Sequence, residues 1–160
     1  MASKKILIVD YDGGSREALA RLFQPYKFQI ISAADGLTAY EKFQLEKPDL
    51  VIIEAILPKL HGFDLTRRIS QESQGRVPVV IVTGLYRGPQ YKHEALALFG
   101  ASDYFEKPYD SEKLVQAVLN LLKEKIDIGF ELPEPEAVIE YLRRKLKRSA
   151  PDKGGGVPEN

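Results

Sequence analysis

Four polar residues, Asp10, Glu54, Thr83 and Lys107, each stand at or just past the end of a short apolar run. Carboxylate oxygens are the ligands that hard cations prefer, while a hydroxyl and an ammonium donate to anionic groups. A site built from these groups would handle charge. The runs that carry them are Lys5-Ile6-Leu7-Ile8-Val9, Leu50-Val51-Ile52-Ile53, Val77-Pro78-Val79-Val80-Ile81-Val82 and Ser102-Asp103-Tyr104-Phe105. Rich in Val and Ile and without alternation, they read as strands buried on both faces, which belong to a parallel sheet covered by helices.

Helical patterns alternate with these strands at short intervals, the signature of repeated βαβ units. Apolar residues at three- or four-residue spacing mark helices over 14–24 (Leu19, Leu22, Phe23 inward), 36–46 (Leu37, Tyr40, Phe43), 62–72 (Phe63, Leu65, Ile69), 90–99 (Ala95, Leu96, Phe99) and 111–124 (Leu114, Val115, Val118, Leu121, Leu122). A further strand, Phe28-Gln29-Ile30-Ile31, completes a doubly wound, five-stranded parallel α/β sheet with helices on both faces. Ligands in that architecture sit outside the carboxyl ends of the strands, where the four polar residues lie.

Composition narrows the function classes. With 160 residues, 44% apolar and 29% charged, the chain suits one domain plus an appendage. Lys+Arg and Asp+Glu both number 23, so no global field recruits nucleic acid. Cysteine is absent, which removes disulfides, thiolate nucleophiles and Cys-ligated zinc. With no apolar segment after Met1, this favours the cytoplasm. No run reaches membrane-spanning length.

The strings Ile6-Leu7-Ile8-Val9-Asp10, Pro48-Asp49-Leu50-Val51-Ile52-Ile53-Glu54, Leu57-Pro58 with Gly62, Val82-Thr83-Gly84 and Gly100-Ala101-Ser102-Asp103-Tyr104-Phe105-Glu106-Lys107-Pro108 follow one another in an order that resembles a response-regulator receiver domain. The resemblance covers about 4–123 and implies a flavodoxin-like, three-layer (βα)5 fold. In that family an Asp ending the third strand accepts a phosphoryl group from a histidine kinase, on a Mg²⁺ ion held by that Asp and an acidic pair after the first strand. The resemblance makes Glu54 the phosphoacceptor equivalent and Thr83 and Lys107 the phosphate readers. It makes Tyr104 a switch aromatic that moves with activation. Lys107-Pro108 matches the family's cis-proline turn, and Gly84 would keep access open.

Two departures fall on the chemistry. Where the acidic pair should stand the chain reads Asp10-Tyr11, and a neutral phenol is a poor Mg²⁺ ligand. Asp12, third in that row, would reach a metal only through water, so Asp10, Glu54 and Asp12 make a weakened Mg²⁺ site. Glu54 is longer than Asp by one methylene, about 1.5 Å of reach. A misplacement of about 1 Å can cost on the order of a hundredfold in rate. The same reach brings its charge toward Lys107 and Thr83, in partial imitation of a phosphate.

Other readings compete. Glu54 and Lys107 alone would make a structural ion pair at a sheet end, and Tyr104 alone would be a core residue. His61 and His93 read as exposed loop or helix residues without metal-ligand spacing. The string Asp10-Tyr11-Asp12-Gly13-Gly14-Ser15 also resembles the first motif of haloacid-dehalogenase-type phosphotransferases, with Asp10 as nucleophile. Gly14 stands where that family places Thr, and no later strand ends in an acidic pair. Flavin binding is disfavoured by the acidic first loop.

Gly84 to His93 reads as a partner surface or a solvated loop. Beyond the receiver, 1–125, lies an extension, 126–149. In it Ile126, Ile128, Phe130 and Leu132 alternate with polar residues, and Pro133-Glu134-Pro135-Glu136 opens a basic amphipathic helix with the stripe Val138, Tyr141, Leu142 and Leu146. Residues 150–160 read as a flexible tail. The expectation is a stand-alone receiver without catalysis of its own, at most a phosphoryl acceptor. It would act through a protein partner, a sensor kinase or downstream signalling protein, or through a homodimer.

Overall fold

A computed structural model of the chain describes residues 3–127 and Arg143. The chain divides into two units, residues 1–123 and 124–160. The expected extended segment, basic helix and tail fall outside the described residues, apart from the end of the last helix and Arg143.

Five strands alternate with five helices: β1 (Lys5–Val9), α1 (Gly13–Leu22), β2 (Gln29–Ala33), α2 (Gly36–Glu46), β3 (Leu50–Ile53), α3 (Gly62–Ser73), β4 (Val79–Thr83), α4 (Pro89–Leu98), β5 (Asp103–Glu106) and α5 (Ser111–Asp127). All pairings are parallel, in the order β2-β1-β3-β4-β5. This is the doubly wound α/β fold that the apolar runs predict. The period of two along each strand divides the core. Leu7, Val9, Val51, Ile53, Val79 and Ile81 point to one face, with Ala39, Phe43, Leu65, Ile69 and Ala95 of α2, α3 and α4. Ile6, Ile8, Leu50, Ile52, Val80 and Val82 point to the other, with Leu19 of α1 and Leu114, Val118 and Leu122 of α5.

β1, β3 and β4 are buried along almost their whole length, as runs without alternation require. β5 departs from that expectation. As an edge strand it buries only Tyr104 fully. β2, the other edge, buries only Ala33. Leu37 also departs. It stands 46% exposed, and the smaller Gly36 and Ala39 take the inward positions with Phe43.

Helix starts are fixed by local acceptors. The Asp12 carboxylate caps α1 by accepting from the Ser15 N–H at 2.7 Å, and Asp35 caps α2 through the Thr38 N–H at 2.7 Å. The Thr38 backbone bond, more than offsetting the cost of desolvation, holds the Asp35 carboxyl below its usual range. His61 caps α3, its Nδ1 accepting from the Phe63 N–H at 3.1 Å. That half-buried cap differs from the exposed residue expected at 61, whereas His93 is exposed as expected.

Candidate functional site

The sheet's hydrogen-bond ladder runs one residue past the strands and so places the site. Asp10 N–H donates to the Ala33 carbonyl at 3.1 Å, Glu54 N–H to Val9 at 2.9 Å and Lys107 N–H to Thr83 at 2.8 Å. Asp10 and Glu54 thus flank the point where the chain order reverses about β1, the usual ligand position of a doubly wound sheet. Lys107 follows the edge strand β5, and its stem passes over Gly84, whose missing Cβ would sit 3.7 Å from Lys107 Cδ. The Lys107-Pro108 peptide is cis.

The side chains meet at the ammonium. Lys107 Nζ donates to Asp10 Oδ2 at 2.9 Å, to Glu54 Oε1 at 2.9 Å and to Ser15 Oγ at 3.0 Å. A lysine ammonium has three donors, and all three are engaged. Asp10 is fully buried and Glu54 is 5% exposed. Burial alone lowers the Lys107 pKa, but the hydrogen bonds of Glu54 and Asp10 outweigh it and leave the ammonium above its usual range. Asp10 is bound from its own loop as well. Its Oδ1 accepts from the Asp12 N–H at 2.9 Å and its Oδ2 from the Ser15 hydroxyl at 2.6 Å. Arg16 donates to its backbone carbonyl at 2.6 Å. Glu54 keeps more acceptor capacity: its Oε2 takes only the Ile56 N–H, at 3.2 Å.

The Thr83 hydroxyl is fully buried and faces its own loop, where it accepts from the Leu85 N–H at 3.3 Å. It takes no part in the Glu54–Lys107 ion pair. Tyr104 is turned inward, 5% exposed, and its hydroxyl donates to the Tyr86 carbonyl at 2.7 Å. Burial, reinforced by the charges of Glu106 and Glu54, pushes its pKa up to about 12. Around it Phe63, Tyr86, Tyr91, Phe99 and His61 form a ring cluster, with Tyr86 and Tyr91 stacked at 5.0 Å and His61 Nε2 within 3.3 Å of the Tyr86 hydroxyl. The loop from Gly84 to Gly88 is therefore fastened, not freely solvated. Arg87 donates to the Lys107 carbonyl and pairs with Glu106, which also accepts from the Gly88 N–H at 2.7 Å.

Sequence reasoning found Asp10, Glu54 and Lys107 and marked the stretch holding Tyr86 and Arg87 as a partner surface or solvated loop, but gave Ser15 and Glu106 no place at the site. Only Ser15 carried a local signal, the Asp12-x-x-Ser15 spacing of a helix cap.

The chain has an acidic and lysine-bearing site at the strand ends of a (βα)5 sheet. A family model described as the response regulator receiver domain matches residues 6–119. The chain belongs to that family, the receiver domains of two-component response regulators. It is 32% identical over 120 residues to "Probable transcriptional regulator ycf27" of Cyanophora paradoxa, covering 75% of this chain and 48% of that one. It is 32% identical over 118 residues to the transcriptional regulatory protein CseB of Streptomyces coelicolor, covering 74% and 49%. The solved signal receiver domain of an HD domain-containing protein from Pseudomonas fluorescens Pf-5 matches with a TM-score of 0.71 at 26% identity, over 78% of this chain and 98% of that one. The chain spans about half the length of the curated relatives it matches.

Receiver domains interact with histidine kinases and other signalling proteins, and generally bind Mg²⁺ for phosphorylation. The donors here do not fit that ion. The ammonium stands between Asp10 and Glu54 and binds an oxygen of each, and Asp10 accepts two further hydrogen bonds from Asp12 and Ser15. Tyr11 is an exposed phenol. Asp12, a candidate ligand from sequence, is committed to the α1 cap because its carboxylate sits beside the helix N-terminus. Among the described residues no three His, Cys, Asp or Glu side chains gather as a metal site. Among the same residues no helix is long and apolar enough to cross a membrane.

Proposed function

We propose that this chain is an atypical receiver that signals by protein contact without needing phosphorylation. The observation that carries this reading is the position of Glu54, buried at the acceptor place with its Oε1 fixed 2.9 Å from Lys107 Nζ. Phosphoryl transfer depends on placing the attacking oxygen and neutralising the phosphoryl charge. Here the oxygen is held on the lysine, and the lysine has no donor left for a phosphate. The inward Tyr104 and the fastened loop above it supply one settled surface for a partner.

The alternative use of Asp10 as a phosphotransferase nucleophile is poorly supported, because its carboxylate is fully buried and bound by Lys107 and Ser15.

The test is intact mass after incubation with Mg²⁺ and acetyl phosphate, beside a Tyr11→Asp, Glu54→Asp double variant as control. The reading expects a phosphoryl mass on the double variant alone. The same mass on the unmodified protein would overturn it. A Glu54→Ala variant should also weaken self-association or partner binding, and unchanged affinity would count against a fixed signalling state.

A further inference from the structure

Above Glu54 and Lys107 lies a cleft of about 230 Å³ lined by Tyr11, Glu54, Ile56, Gly84, Leu85 and Lys107. Its polarity is the reverse of a phosphate site. Lys107 contributes a charge with all three protons engaged, on Asp10, Ser15 and Glu54. Glu54 contributes an oxygen, Oε2, whose one partner among the described residues is the Ile56 N–H at 3.2 Å. The floor therefore offers a carboxylate acceptor, and its ammonium has no proton to spare. Of the lining residues only Glu54 and Lys107 are charged, and because Lys107 is shared with the buried Asp10 the ion-pair set beneath the cleft, two carboxylates on one ammonium, carries one net negative charge.

The rim is apolar. Tyr11, on the loop after β1, is 55% exposed, and Leu85, on the loop after β4, is 65% exposed. An aromatic ring and an aliphatic side chain thus border a charged floor. A cation carried on a long apolar stem satisfies both parts. Its stem would lie against Leu85 and Ile56, its planar charge beside the Tyr11 ring, and its N–H groups on Glu54.

We propose that this cleft receives an arginine side chain of a partner protein. The proposal names the contact by which the chain would work as a phosphorylation-independent receiver, and so rests on that reading for its purpose.

The experiment is an amide-resolved NMR titration of the full chain with N-acetyl-arginine amide, in parallel with N-acetyl-citrulline amide, inorganic phosphate and Mg²⁺. The arginine amide is expected to give saturable shifts at Ile56, Gly84 and Leu85, and the uncharged citrulline amide to give none. The near-isosteric Glu54→Gln variant should lose the response. Tyr11→Ala, at an exposed position that does not threaten folding, should weaken it about two- to fivefold. Absence of site-localised shifts with arginine amide overturns the proposal, as does a stronger response at these amides to phosphate or Mg²⁺. The acetyl phosphate test is independent: an unphosphorylated protein that ignores arginine defeats this proposal alone, and a phosphorylated one defeats the contact-only reading.

Discussion

The charged site and the aromatic cluster beside it are bordered by the same loop, yet they are held together in opposite ways. At the site, a few directional bonds converge on Lys107, and Asp10 and Glu54 share its ammonium. In the cluster, His61, Phe63, Tyr86, Tyr91, Phe99 and Tyr104 share edge and stacking contacts, with ring centroids 5.0 to 6.5 Å apart. Removing one member of the first leaves buried charge without its partner. Removing one member of the second leaves a gap that neighbouring rings partly fill. The comparison teaches that stability should respond sharply at the site and gradually in the cluster, although the two are one residue apart at Leu85 and Tyr86.

The sharpest break is Lys107→Ala. It leaves Asp10 and Glu54 buried together, and losing one partner of such a set costs about 3 kcal/mol. Urea denaturation at pH 8 should show that loss. A loss under about 1 kcal/mol at pH 8 would mean that water compensates the acids and the site is not closed.

Phe63→Leu, a modest large-to-small change whose gap neighbouring rings partly fill, should cost about 1.5 kcal/mol. If it matched Lys107→Ala, the cluster would be as brittle as the site and the contrast would fail. Tyr104→Phe removes the hydroxyl that the Tyr86 carbonyl accepts and should cost about 1 kcal/mol. It should also loosen the loop, read as faster amide exchange at Leu85 and Gly88. An unchanged exchange rate would show that Arg87 and Glu106 suffice.

The smallest effect is the alkaline limb. Lys107 and Tyr104 both have folded pKa values raised above their ordinary values of 10.5 and 10.0, Tyr104 to about 12. The folded state then binds protons more tightly than the unfolded chain. Its extra stability is complete below about pH 10 and is lost as pH rises toward 12. Tyr104→Phe should flatten part of that decline and leave the Lys107 part intact. An equally steep decline in the variant would assign the whole limb to other groups.

How much of this was readable beforehand depends on distance along the chain. Asp10, Glu54 and Lys107 announce themselves because each follows an apolar run, and a parallel sheet brings such run ends to one edge. Ser15 does not, since its approach to Lys107, 92 residues away, depends on how the Asp12 cap turns the chain. The aromatic cluster is drawn from three separate segments, so no window of sequence contains it. The outward Leu37 was misread because spacing marks a helix face but not which face has core to meet, and α2 lies beside the edge strand β2. Thr83 was placed correctly at the strand end, but its hydroxyl direction is a rotamer choice that spacing does not encode.

Two glycines in the fold bear on how this chain could be altered. A Cβ on Gly62 would lie 2.4 Å from the Glu54 carbonyl oxygen, and one on Gly36 would lie 2.1 Å from that of Leu60. Both contacts are with backbone of the segment that carries Glu54 toward α3, so any side chain there would have to move that segment. A library meant to restore phosphoryl acceptance should therefore hold positions 36 and 62 constant. It should spend its diversity at 11, 54, 56 and 85, where new side chains meet the cleft and not the mould in which the loop is cast.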